Sequence, residues 1–166
     1  MVCLPRHFTA SGLVLWRPRQ VLLVRHHKLG VWLYPGGHVE PTETPDQTVI
    51  REISEETGVE AELLGLRAAE LDDAASDVHA LHTPYQVLCE YIDDSTAPHY
   101  HIDLVYLCGV RHTTDAVDGL PDAAGIFDER HAMELTLFPN FRALLRRVFA
   151  DEDAWQLLDV AETKHR

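Results

Sequence analysis

The most constraining feature of this chain is a short helix marked at both ends, between Thr44 and Gly58. Thr44 is a favoured N-cap, Pro45 suits the first helical position, and Gln47 completes a T-x-x-Q capping box. Gly58 follows the last periodic residue and can take the left-handed conformation that closes a helix. The helix is therefore expected over Pro45–Thr57. Val49, Ile50 and Ile53 give it an apolar stripe to bury. Glu52, Glu55 and Glu56 fall at i, i+3 and i+4, so their carboxylates share one turn. Like charges at that spacing cost roughly 0.2–0.5 kcal/mol per pair, and nothing in the packing of a helix asks for them. A hard divalent cation removes the repulsion, and an oxygen-only donor set selects Mg²⁺, with Mn²⁺ as a substitute, over Zn²⁺.

Just upstream, Pro35-Gly36-Gly37 lets the backbone approach a ligand, and a carbonyl near Gly36 can join the metal shell. The run Gly37, Glu43, Arg51-Glu52-Ile53-x-Glu55-Glu56-x-Gly58-Val59 resembles the Nudix box at every defined position, over residues 37–59. Trp32-x-x-Pro35-Gly36-Gly37 resembles its usual lead-in, and Glu43–Gln47 is similar to MutT-type members in particular. The resemblance implies an α/β fold, a Nudix-type α/β/α sandwich with a mixed β-sheet. It implies Mg²⁺-dependent attack of water on phosphorus in the diphosphate linkage of a nucleoside triphosphate or another nucleoside diphosphate derivative. It also implies Gly36, Glu52, Glu55 and Glu56 as metal-holding residues, with Glu52 as general base. Gly37, Glu43 and Arg51 would support the site, Glu43 pairing with Arg51 to brace the loop against the helix.

Glu55-Glu56 alone would read as a solvated helix face. Arg51, Glu52, Gly37 and Gly58 in register change that reading. Two other classes are compatible with such a fold: a nucleotide-binding module without catalysis, and a diphosphate isomerase. The intact acidic set disfavours the first, and the full hydrolase box without a nearby cysteine disfavours the second.

A chain of 166 residues is expected to form one domain, residues 1–166. Its formal net charge of −13 lacks the basic footprint of a nucleic-acid binder. A small nucleotide or other diphosphate is then the expected partner, with cations on the acidic cluster meeting its charge. Cys3, Cys89 and Cys108 are scattered without metal spacing; the latter two lie in apolar runs and read as buried thiols of a reducing, cytoplasmic compartment. Neither a signal peptide nor a membrane span is expected. Nothing in the sequence specifies an oligomeric state.

Strands are expected at Phe8–Leu15 and Gln20–Arg25, forming a hairpin at the sheet edge, then at Trp32–Tyr34, Glu60–Glu70, Tyr85–Ile92, Ile102–Val110 and Gly125–Phe127. A loop or a short turn of helix should cover Leu71–Ala80, and polar loops Asp93–His99 and Arg111–Ala124. Helices are expected near Glu129–Leu135, over Phe138–Asp151, and from Asp153 to about Val160, with Glu162–Arg166 frayed.

Outside the box, His99, His101 and Asp103 alternate on a strand and so share a face, offering metal or phosphate contacts or simply a polar face. Glu90 and Asp103 compete as a supplementary metal ligand or base. Arg25, with His26-His27, follows a strand and is a candidate phosphate contact or a solvated loop residue. Leu137-Phe138-Pro139-Asn140 resembles the place where MutT-type members carry a base-reading Asn. Asn140 is suited to a purine edge by its paired donor and acceptor, and equally to a helix cap.

Overall fold

The computed structural model describes residues 4–110 and 119–164. In chain order the first half forms strands β1 (Arg6–Trp16), β2 (Gln20–Arg25), β3 (Trp32–Leu33) and β4 (Gly36–His38), then helix α1 (Pro45–Thr57) and strand β5 (Ala61–Leu64). A single 3-10 turn at Ala69–Leu71 precedes β6 (Gln86–Ile92), β7 (His99–Val110) and β8 (Ala124–Asp128). Helices α2 (Glu129–Glu134), α3 (Pro139–Ala150) and α4 (Glu152–Lys164) complete the fold.

All strands join one mixed sheet along the path β3-β2-β1-β7-β5, with β4 added to β1, β6 to β7 and β8 to β2. β1 and β7 run parallel from Arg6↔Tyr100 to Leu15↔Gly109. The other pairings are antiparallel. Both central strands are covered on two sides, so they read as nearly unbroken apolar runs. Leu13, Leu15, Val105 and Leu107 pack under Phe141, Leu145 and Val148 of α3 and Trp155 and Leu158 of α4. The alternate residues Ala10, Val14, Tyr106 and Cys108 pack under Val49 and Ile53 of α1. The result is the expected α/β/α sandwich.

Helix α1 matches its expected bounds because its determinants are local. Thr44 N–H donates to Gln47 Oε1 at 2.9 Å, and Gln47 N–H returns to Thr44 Oγ1 at 3.4 Å. Gly58 takes φ 72° and donates to the Ser54 carbonyl at 2.8 Å. The 66–82 connection is strapped to the N-terminal end of this helix, His82 giving its backbone N–H and Nδ1 to Asp46 Oδ2 at 3.1 and 2.8 Å.

Several expectations are corrected. The β1–β2 hairpin lies inside the sheet, because β2 also carries β3 and β8. The strand expected over Glu60–Glu70 stops at Leu64: β5 pairs with β7 only from Ala61↔Val110 to Leu64↔Leu107, and β6 occupies the same edge from Gln86↔Val105 onward. β7 begins at His99 rather than Ile102, held on both sides by Ile92↔His99 and Arg6↔Tyr100. Cys89 is exposed, since β6 half-buries only alternate residues and Cys89 is on its outward side, whereas Cys108 is buried. Cys3 and residues 111–118 of the expected Arg111–Ala124 loop lie outside the described residues. α4 continues to Lys164, through part of the tail expected to fray. No described helix is long and apolar enough to cross a membrane.

Candidate active site

Strand β4 is three residues long, and its two glycines are required by close approach. Gly36 pairs with Ser11 and Gly37 with Ala10 of β1. A Cβ on Gly36 would lie 2.4 Å from Ser11 Oγ and 2.7 Å from Ser11 Cα; one on Gly37 would lie 2.3 Å from Glu52 Oε1. Helix α1 therefore lays Glu52 directly against bare β4 backbone. Glu56 reaches the same strand, its Oε2 accepting from Gly36 N–H at 3.1 Å.

Arg51 organises the acids around it. Its Nε and Nη2 fork onto Glu43 Oε1 and Oε2 at 2.8 and 3.0 Å, as the sequence led us to expect. Its Nη1 also donates to Glu52 Oε1 at 2.7 Å and Glu55 Oε2 at 3.1 Å, contacts the sequence did not suggest. Thr48 Oγ1 adds a 2.9 Å bond to Glu43 Oε2. The Arg51 bonds, helped by Thr48, hold the Glu43 carboxyl down at about 2.

Glu56 receives no cationic side chain among the described residues. Burial pushes its carboxyl above the usual carboxylate range, Gly36 N–H pulls it back, and the charges of Glu52 and Glu55 push it up again. One guanidinium is thus shared among three acids, while the fourth, Glu56, lies at the exposed edge of the helix with no cationic side chain beside it among the described residues. This all-oxygen donor set, beside the side-chain-free backbone of Gly36–Gly37, fits a hard divalent cation.

The opposite face of the sheet carries a second polar group. Asp103 is 2% exposed and follows the alternation of Val105 and Leu107, so it faces away from α1. Thr9 Oγ1 and Ser11 Oγ donate to its Oδ1 at 2.8 and 2.9 Å, and Tyr34 Oη donates to its Oδ2 at 2.8 Å. Glu90, paired with His101 across the β6–β7 ladder, is half-buried; burial, then the Asp103 charge, raises its carboxyl. Glu52, Glu55 and Glu56 thus converge with Gly36, Gly37, Glu43 and Arg51, whereas Glu90 and Asp103 converge with each other on the other face.

His99 and His101 join His7 and His38 on that face. Burial, then the neighbouring His38, His99 and His7, hold the His101 imidazole down at about 4. Arg25 ends β2, exposed, opposite Trp32. Asn140 is exposed in the first turn of α3; the N-cap is Phe138, so Asn140 is not a cap. Sequence reasoning passed over Thr9, Ser11, Tyr34, His7 and His38. Only strand parity across a known register could have found them, because their partners lie up to |i−j| = 94 away.

Comparison with known proteins agrees with this geometry. The model of the NUDIX domain matches residues 5–119. A Mycobacterium tuberculosis protein provisionally named 8-oxo-dGTP diphosphatase 3 is 38% identical over 87 residues, which are 47% of this chain and 40% of that protein. The Escherichia coli CTP pyrophosphohydrolase is 32% identical over 78 residues, 43% of this chain and 58% of that enzyme. The chain thus spans about two fifths to three fifths of these relatives' length. The crystal structure of a Nudix-family hydrolase from Clostridium perfringens superposes with a TM-score of 0.68 at 26% identity, covering 88% of this chain and 97% of that one. With the family model spanning more than half its residues and that fold beneath them, the chain belongs to the NUDIX family.

Proposed function

We propose that the protein is a divalent-metal-dependent pyrophosphohydrolase, cleaving a diphosphate linkage in a nucleoside triphosphate or a related nucleoside diphosphate derivative by attack of water at phosphorus. The observation that carries this reading is the packing of Glu52, Glu55 and Glu56 around Arg51 and against the side-chain-free Gly36–Gly37 backbone. Glu52, Glu55, Glu56 and the Gly36 carbonyl would hold Mg²⁺, or Mn²⁺ in its place. When bound, the cation supplies the positive charge toward phosphates that a chain of net charge −13 does not.

The chain's own residues do the rest. Glu52 removes the proton from the attacking water, and Arg51 holds its carboxylate in place. Gly37 lets Glu52 lie directly against β4, and Gly36 does the same for Ser11 on the other face. Glu43 fixes Arg51 from the far side. Of the two outlying acids, Glu90 is the better supplementary ligand or base, because both oxygens of Asp103 already accept hydrogen bonds. Arg25 and Asn140 are the substrate contacts we infer outside the box, whereas His99 and His101 belong to a separate histidine cluster on the other face of the sheet. The names of the relatives, a CTP pyrophosphohydrolase and a provisional 8-oxo-dGTP diphosphatase, support a nucleoside triphosphate as substrate.

A nucleotide panel incubated with Mg²⁺, with the products identified, tests the proposal. Release of pyrophosphate, or of a nucleoside monophosphate paired with it, supports it. A protein inert toward nucleoside triphosphates, dinucleoside polyphosphates and nucleotide sugars at every Mg²⁺ concentration would overturn it.

A further inference from the structure

Four imidazoles meet where the N-terminal ends of β1 and β7 pass β4: His7 on β1, His38 on β4, and His99 and His101 on β7. The topology alone puts them there. His7 is the register partner of His101, and His38 is the partner of Thr9, two residues along β1 on the same face. One ring nitrogen from each residue lies within 4.8 Å of all the others. His99 Nε2 and His101 Nε2 are hydrogen-bonded to each other at 3.0 Å. The ring of His7 stacks on His99 with centroids 4.5 Å apart, and that of His38 stands edge-on to His101 at 4.8 Å. An ion with metal–nitrogen bonds of about 2.0–2.1 Å sets tetrahedral ligand atoms roughly 3.3 Å from each other.

The orientation of His99 is a second, independent observation. Its Nδ1 lies 2.7 Å from the Ala97 carbonyl oxygen, which can only accept, so Nδ1 carries the proton. In the neutral ring the lone pair is then on Nε2, the atom that faces the cluster. A ligating histidine that donates its other N–H to a backbone carbonyl is the usual outer-shell arrangement at metal sites.

We propose that His7, His38, His99 and His101 form a binding site for a borderline transition-metal cation, Zn²⁺ foremost, separate from the carboxylate site on α1. The two donor sets differ in kind. Imidazole suits Zn²⁺, Cu²⁺ and Ni²⁺, whereas the carboxylates and carbonyl of the α1 edge suit Mg²⁺ and Mn²⁺. They also lie on opposite sides of β4: Gly37 turns toward Glu52, and His38 turns toward the histidines. A cation here ties β1, β4 and β7 together beside the strand that carries Gly36 and Gly37. The site does not depend on what reaction the protein performs.

The test uses the full chain stripped with a chelator and titrated with Zn²⁺, and with Co²⁺ as a spectroscopic probe, in excess Mg²⁺ that saturates the carboxylates. One equivalent of Zn²⁺ should bind despite the Mg²⁺, raise the thermal midpoint, and give with Co²⁺ the intense visible absorption of a tetrahedral centre. The double substitution His99→Ala with His101→Ala should weaken Zn²⁺ binding by at least about 100-fold and abolish the thermal shift, and His7→Asn alone should weaken it measurably. Glu56→Gln should leave Zn²⁺ binding intact. Absence of stoichiometric Zn²⁺ binding in Mg²⁺ would overturn the proposal. So would Zn²⁺ binding that survives the histidine substitutions but is lost in Glu56→Gln, or a cluster that binds inorganic phosphate and no metal.

Discussion

Glu52 is where three constraints meet: the Arg51 guanidinium on one oxygen, the bare Gly37 backbone above it, and the turn it shares with Glu55 and Glu56. Glutamine at this position keeps the shape and loses the proton-accepting charge. Proton removal by a placed carboxylate is typically worth about 10²–10⁴-fold, so Glu52→Gln is expected to lower kcat by that factor without lowering the thermal midpoint. Turnover near the wild-type value, measured by pyrophosphate release, would transfer the role to another acid, Glu90 first. Glu56→Gln should instead move the Mg²⁺ concentration for half-maximal activity upward, since Glu56 has no cationic side chain beside it among the described residues; an unchanged titration would remove it from the ligand set. Asp103 makes a different prediction. Asp103→Ala leaves the hydroxyls of Thr9, Ser11 and Tyr34 without their acceptor, and removing the acceptor from buried donors costs about 1–3 kcal/mol, so denaturant unfolding should shift by at least that much.

Helix α1 shows which parts of an element can be read without its neighbours. Both caps, the apolar stripe and the acidic turn are set within fifteen residues of sequence, and all appear as expected from Thr44 to Gly58. The same holds for the Glu43–Arg51 pair, eight residues apart. Strand ends were less legible, because a strand stops where its partner's edge is taken: β5 ends when β6 claims β7, and β7 starts early because two neighbours hold His99 and Tyr100. The partners of Asp103 were hidden for the same reason, each being fixed by strand register and not by spacing. The helix also carries a pH prediction. Glu43 titrates at about 2 in the fold against an ordinary value of 4.5. A depressed carboxyl contributes stability that is complete above the unfolded value and is lost as pH falls through the folded one. Stability should therefore decline between about pH 4.5 and pH 2, and Glu43→Gln should flatten that part of the acid limb in urea-unfolding series.

At the scale of the whole molecule, β4 divides two kinds of chemistry. Side chains alternate along a strand, so Gly37 opens toward α1 while Gly36 and His38 open toward the face of Ser11, Asp103 and Tyr34. If the phosphates lie against the α1 edge, the nucleoside has the other face to reach, where Tyr34 and Glu90 are half-buried around Asp103. Reaction and recognition would then be separable by substitution. Glu56→Gln should lower kcat/KM for every nucleotide by one common factor, because the phosphate chain is common to all of them. Tyr34→Phe should instead change the ratio of kcat/KM between purine and pyrimidine triphosphates, by about tenfold or more where a lost contact is worth 1.4 kcal/mol in the transition state. Kinetics on four triphosphates with each variant decide the matter. A common factor from the Tyr34 variant would mean that this face acts on the reaction itself and the base is read elsewhere, with Asn140 the first residue to test.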